Sequence, residues 1–243
     1  MLKTFSITDI GKRRKLNQDY VYASEHPVGN LPNLFIVADG MGGHNAGDYA
    51  SKVTVETIVE KVSNSSETEC TCILEEAIQA ANTLIRTKAC ESADLEGMGT
   101  TVVAATCRGD RLFVANVGDS RLYVANGREM RQITRDHSWV EEMVRRGGLG
   151  REEARIHPGR NIITRAIGGD DNVRVDYFMV QLKEGDLVLM CTDGLTNMLG
   201  DVEICEILEG TRDIAKKAQE LVESANERGG RDNISVLLID PFS

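Results

Sequence analysis

The chain has 243 residues, 41% of them hydrophobic, with 28 Lys and Arg against 38 Asp and Glu for a formal net charge of −10 at pH 7. That length supports a sizeable core in one domain, taken as residues 1–243, and the acidic balance opposes nucleic acid and anionic membrane surfaces. Apolar runs such as Leu34 to Ala38 and Val236 to Ile239 stop far short of a bilayer span, Met1 to Asp9 holds no signal-peptide core, and the six cysteines include no Cys-x-x-Cys pair. The expectation is a soluble, intracellular monomer with reduced thiols, no membrane insertion and no nucleic-acid partner.

LKTFSIT opens the chain as a strand, and Phe35, Ile36, Val37 and Ala38 form a second apolar run closed by Asp39 and Gly40. A helix follows from about Asn45 to Val62, with Val55, Ile58, Val59 and Val62 on one face, and another from about Cys72 to Cys90. From 99 to 134, GTTVVAATCRGDRLFVANVGDSRLYVANGREMRQIT alternates β-rich runs with glycine turns and reads as an antiparallel meander, Asn126-Gly127 being its strongest hairpin signal. Ser138 to Arg165 breaks the regular pattern with Gly147, Gly148, Gly150, Pro158 and Gly159 among charges, and reads as a mobile surface flap over 138–165. Leu187 to Cys191 leads into Asp193-Gly194, a helix at about 211–227 follows, and NISVLLI ends the pattern as a strand. Helices arrive in blocks instead of alternating with strands, so the fold class is α+β: packed antiparallel sheets with helices outside.

GMGGHNAG, Gly40 to Gly47, looks like a phosphate cradle but fails both glycine-loop tests. The sixth position of a dinucleotide fingerprint is Asn45, and Asp48 and Tyr49 stand where a P-loop needs Lys and Ser or Thr. The acids are more informative: Asp39, Asp119, Asp193 and Asp232 all sit at edges of expected strands beside turn residues. Each alone is an ordinary turn or cap residue, but together they offer oxygen ligands on rigid supports, which suits Mg²⁺ or Mn²⁺. Glycine after Asp39 and Asp193 is expected to let the backbone turn sharply and leave a carbonyl accessible. Zinc fits poorly, since His26, His44, His137 and His157 have no ligand spacing, and Cys191 reads as a small buried residue and not a nucleophile.

In order along the chain, RRKLNQD (13 to 19), VADGMGGHNAGDYAS (37 to 51), GMGTTVVAA (97 to 105), ANVGDSRLY (115 to 123), TRDHSWVEEMV (134 to 144), ITRAIG (163 to 168), CTDGLTNML (191 to 199) and GGRDNISVLL (229 to 238) resemble the motifs of the metal-dependent protein phosphatases of the 2C type, the compact bacterial members most of all. The resemblance implies two packed antiparallel sheets flanked on both sides by helices, a four-layer sandwich. It also implies a serine/threonine phosphatase in which Asp39 bridges two Mn²⁺ or Mg²⁺ ions, Gly40 lends its carbonyl to one, and Asp193 and Asp232 hold the other. Asp119 with Asp193 matches a third, weaker ion site, and Arg14 matches the arginine that grips the substrate phosphate. A hydroxide bridging the two ions would attack phosphorus directly, displacing the seryl or threonyl oxygen.

Two positions depart from the family pattern. Gln18 replaces an acid of the metals' outer shell beside Asp19, and Met41 stands where some members have histidine. His44, His137 and His157 are the candidates for a general acid, and none is assigned. Implied partners are phosphorylated proteins, including a Ser/Thr protein kinase. A hydrolase of small phosphometabolites and a catalytically silent phosphoprotein-binding module are the competing readings.

Overall fold

The computed structural model describes residues 2–43, 46–210 and 212–243. In chain order the elements are β1 (Lys3–Asp9), β2 (Asp19–Ser24), β3 (Leu34–Met41), α1 (Ala46–Ser63), α2 (Cys70–Glu91), β4 (Gly99–Thr100), β5 (Val102–Arg108), β6 (Arg111–Val117), β7 (Arg121–Asn126), β8 (Glu129–Gln132), α3 (Trp139–Arg145), α4 (Arg151–Ile156), β9 (Asp176–Gln181), β10 (Leu187–Cys191), α5 (Asp193–Thr196), α6 (Asp201–Glu209), α7 (Ile214–Glu227) and β11 (Ile234–Asp240). The expected helix start at Asn45 lies outside the described residues.

The strands form two antiparallel sheets, one ordered β1-β11-β10-β7-β8 and the other β2-β3-β5-β6-β9, with β4 pairing β3. Period-two alternation decides what each face covers. On β3, Phe35 and Val37 point between the sheets with Val103, Val114, Val188, Met190 and Leu237, while Leu34, Ile36 and Ala38 point out beneath α1 and α2. On β11, Val236 and Leu238 face the layer of α6 and α7, and Leu237 and Ile239 face the other sheet. Both faces of the central strands are covered, which is why they read as unbroken apolar runs. The expected four-layer α+β sandwich is the observed fold.

Three details differ from expectation. The run from 99 to 134 is no continuous meander: β5–β6 and β7–β8 are hairpins, but the turn at Gly118 to Ser120 carries the chain from one sheet to the other. A turn signal in sequence does not say which sheet the next strand joins. The flap holds two short helices, α3 and α4, and a bridge between Ser138 and Ile163 closes its base. Their signals were local: Ser138 Oγ accepts from the Glu141 N–H at 3.3 Å, and the Gly150 N–H donates to the Glu153 carboxylate at 3.5 Å. Helix α6 begins the same way, with the Gly200 N–H donating to Glu203 at 2.9 Å.

Candidate active site

Four segments bring acids to one end of the sandwich. Asp39 lies within β3, with its Cα opposite that of Asp19 on β2. Asp119 lies in the turn that crosses between the sheets, Asp193 opens α5 directly after β10, and Asp232 precedes β11. Burial pushes the carboxyl pKa values of Asp39, Asp119 and Asp193 up, and the charge of neighbouring acids adds to it: Asp19, Asp193, Asp119 and Asp232 act on Asp39, Asp193 acts on Asp119, and Asp232 acts on Asp193. Arg14 stands at the mouth, half-exposed, with Nη2 2.7 Å from Asp232 Oδ2 and its charge felt by Asp39 and Asp193. The expected residues Arg14, Asp39, Asp119, Asp193 and Asp232 therefore share one locus.

A family model for protein phosphatase 2C matches residues 11–238. The chain belongs to the protein phosphatase 2C family. It is 42% identical, over 96% of its length and 93% of the relative's, to the serine/threonine phosphatase stp of Listeria innocua. Among solved structures it resembles the serine/threonine phosphatase Stp1 of Staphylococcus aureus, with a TM-score of 0.93 and 35% identity over 100% of this chain and 96% of that one. It also resembles the catalytic domain of the serine/threonine phosphatase PstP, solved in complex with two manganese ions, with a TM-score of 0.87 and 34% identity over 98% of this chain and 97% of that one.

The donor set at the family's cleft fits hard cations. Among the described residues no three Asp, Glu, His or Cys side chains are already arranged to hold an ion. Yet the acids that converge are all-oxygen donors whose charges oppose one another, and Asp193 Oδ1 is buried without a hydrogen-bond partner while Oδ2 accepts from Asn197 at 2.9 Å. Such an excess of desolvated carboxylate needs either protons or cations to balance it.

The two Asp-Gly glycines are needed for close backbone approach rather than for an unusual backbone dihedral. Neither Gly40 nor Gly194 has a positive φ. Each is required by close backbone approach: a Cβ on Gly40 would lie 1.9 Å from the Gly47 carbonyl oxygen, and one on Gly194 would lie 1.8 Å from that of Asn233. Thus one glycine lets β3 pack on the start of α1, and the other sets Asp193 beside the Asp232–Asn233 segment.

The supporting shell is mostly hydroxyls and amides that no local pattern marks. Asp19, buried, accepts from Thr192 Oγ1 at 2.9 Å and Ser235 Oγ at 2.7 Å, and burial pushes its pKa up against those two hydrogen bonds. Thr101 Oγ1 accepts from the Asp39 N–H at 3.0 Å, and Thr100 Oγ1 donates to the Asp39 carbonyl at 2.9 Å. Gln18 contributes through its backbone: its carbonyl accepts from the Gly40 N–H at 3.0 Å and from Ser51 Oγ at 2.6 Å, while its side chain packs against Gly47.

Of the histidines, His44 lies outside the described residues. His137 is a structural clasp: Nδ1 accepts from the Gly118 N–H at 3.0 Å, the His137 N–H donates to the Gly118 carbonyl at 2.9 Å, and Nε2 lies 3.2 Å from Asp176. His157 accepts from the Gly159 N–H at 2.9 Å and packs on Trp139. Cys191 is fully buried, and burial pushes its thiol up to about 12, so it is no nucleophile. Between the flap and the acids runs a groove of about 220 Å³ lined by Arg151, Arg155 and Arg160 on one side and Asp119, Asp193 and Asn197 on the other.

Proposed function

We propose that this chain hydrolyses phosphoserine and phosphothreonine in proteins, using a pair of Mn²⁺ or Mg²⁺ ions held by Asp39, the Gly40 carbonyl, Asp193 and Asp232. The observation that carries the reading is the meeting of these partly buried acids, from β3, the start of α5 and the segment before β11, with one exposed arginine at one end of the family fold. Bound divalent ions supply charge neutralisation at phosphorus and a water acidic enough to react near neutral pH.

The protein's own groups do the remainder. Arg14 releases Asp232 and presents its guanidinium fork to two phosphate oxygens, fixing the ester for in-line displacement. Asp19 and the hydroxyls of Thr192 and Ser235 hold the floor beneath Asp39, so the acids keep their spacing as substrate enters. Among the described residues no side chain at the site is placed as a covalent nucleophile, which agrees with direct transfer to water. Asp119, with Asp193, completes a weaker third ion site facing the flap groove.

The unit acting is residues 1–243 as one catalytic domain, monomeric and cytoplasmic, with 138–165 as the flap that sorts substrates. Its substrates include a Ser/Thr protein kinase. Among the described residues no helix is long and apolar enough to cross a membrane. The deciding assay is Mn²⁺-dependent release of phosphate from phosphothreonine, phosphoserine and phosphotyrosine peptides and from free phosphometabolites. Hydrolysis confined to the metabolites, or turnover indifferent to chelation, would overturn the proposal.

A further inference from the structure

Arg14 rides on a loop, residues 10–18, that has neither helix nor strand of its own between β1 and β2. A half-exposed arginine on such a loop is a poor clamp unless something fixes the loop. The structure supplies one side chain that does so. Asn233 is 3% exposed, and its amide is used wholly on this loop: Oδ1 accepts from the Gln18 N–H at 2.9 Å, and Nδ2 donates to the Ile10 carbonyl at 3.0 Å and the Leu16 carbonyl at 2.9 Å. One acceptor and two donors meet three backbone groups that bracket Arg14 on both sides.

The same residue faces the acids with its backbone. Its N–H donates to Asp232 Oδ1 at 2.9 Å, and its carbonyl abuts Gly194, directly after Asp193. The loop has further ties near its ends, where the Lys12 N–H donates to the Gly230 carbonyl at 2.7 Å, Asn17 Nδ2 donates to Thr8 Oγ1 at 2.8 Å and the Gln18 carbonyl accepts from the Gly40 N–H at 3.0 Å and Ser51 Oγ at 2.6 Å, but Asn233 is the side chain that binds it on both sides of Arg14. Asn233 is thus the junction between the loop that carries the guanidinium and the segment before β11 that carries Asp232.

We infer that Asn233 is the positioning residue for Arg14: its side-chain amide holds the phosphate-gripping loop at a fixed distance from the metal-binding acids, and so sets phosphate affinity. This rests on Arg14 gripping phosphate, as proposed above. Truncating the side chain takes their partner from three backbone groups but keeps the N–H on Asp232, so ion binding and phosphate binding separate.

The test uses the full chain carrying Asn233→Ala, Arg14→Ala, and both. In metal-free protein, amide hydrogen exchange across residues 11–18 should rise about tenfold or more in Asn233→Ala while the β11 amides keep their protection. In saturating Mn²⁺, KM for p-nitrophenyl phosphate and the inhibition constant of inorganic phosphate should rise about tenfold, with kcat within about threefold and calorimetric Mn²⁺ affinity unchanged. The double variant should bind phosphate no more weakly than Arg14→Ala alone, because a loop without its arginine has nothing left to position. Additive losses, unchanged exchange, or a fall in Mn²⁺ affinity in place of phosphate affinity would overturn the tether. An Arg14→Ala protein with undiminished phosphate affinity would remove the role of Arg14, and the inference with it. Should Asn233→Ala fail to fold, the unaltered protein decides: the Gln18 amide must be as protected as the β2 amides, and exchange at open-loop rates overturns the assignment.

Discussion

Gly194→Ala tests whether the second Asp-Gly is there for close backbone approach. An added Cβ would stand 1.8 Å from the Asn233 carbonyl oxygen and 2.8 Å from its carbon. Contacts of that kind are comfortable only at about 3.5 Å, so the Asp193–Gly194 turn and the Asp232–Asn233 segment must part by roughly 1.5 Å or more. The obstacle is backbone on both sides, in a buried position, so no side chain can rotate away. Overpacking of this severity costs about 2–3 kcal/mol, which lowers Tm by roughly 4–12 °C for a chain of this size. The functional loss is larger, because Asp193 and Asp232 sit on the two parted segments and metal geometry tolerates only about 0.2 Å. Turnover of p-nitrophenyl phosphate in excess Mn²⁺ should fall about 100-fold. Gly150→Ala is the control, since a Cβ there meets nothing within 4 Å, and it should cost no more than about 1 kcal/mol at that cap. A folded Gly194→Ala protein with unaltered Tm and more than half the original turnover would refute the close-approach argument.

Other outcomes follow from the same geometry. Asp39→Asn or Asp193→Asn should abolish Mn²⁺-dependent turnover, yet Asp193→Asn should raise Tm in metal-free protein by relieving repulsion with Asp232; a lower Tm in chelator would contradict that electrostatic account. Arg14→Ala should raise KM more than it lowers kcat, and steady-state kinetics showing the reverse would assign the arginine chiefly to the transition state. Burial lowers the pKa of His137, only partly offset by its contact with Asp176, so the stability it contributes is fully present above about 6.5 and lost as pH falls through the folded value. Denaturation midpoints in His137→Gln should consequently fall less between pH 7 and pH 5 than in the unaltered protein; parallel decline would refute this assignment. Deleting the glycines at the flap tip, 147–150, should change selectivity among phosphothreonine peptides, and unchanged ratios of kcat/KM would remove the flap from substrate choice.

Periodicity and turn chemistry made α1, α2, α7 and the apolar strands legible, because a helix face or a buried strand announces itself within a dozen residues. The acids of the candidate site were legible for a related reason: Asp39, Asp193 and Asp232 each stand where an apolar run starts or stops, and their ordered motifs carry the family likeness. Helices α3, α4 and α6 escaped because they are short and their capping signals, Ser138 with Glu141 and Gly150 with Glu153, were hidden among glycines and charges. The crossing at Gly118 escaped because a glycine turn looks the same whether the next strand joins its own sheet or the facing one.

By itself the sequence determined which segments are strands and helices, which faces are apolar, and which acids could bind a cation, since each depends on neighbours close along the chain. Tertiary structure alone decided that Gly40 and Gly194 answer to backbone contact and not to φ, that Thr192 and Ser235 hold Asp19, and that Asn233 holds the loop of Arg14. Those partners lie up to 223 residues apart, and no local pattern encodes a hydrogen bond whose two ends meet only after both sheets have packed.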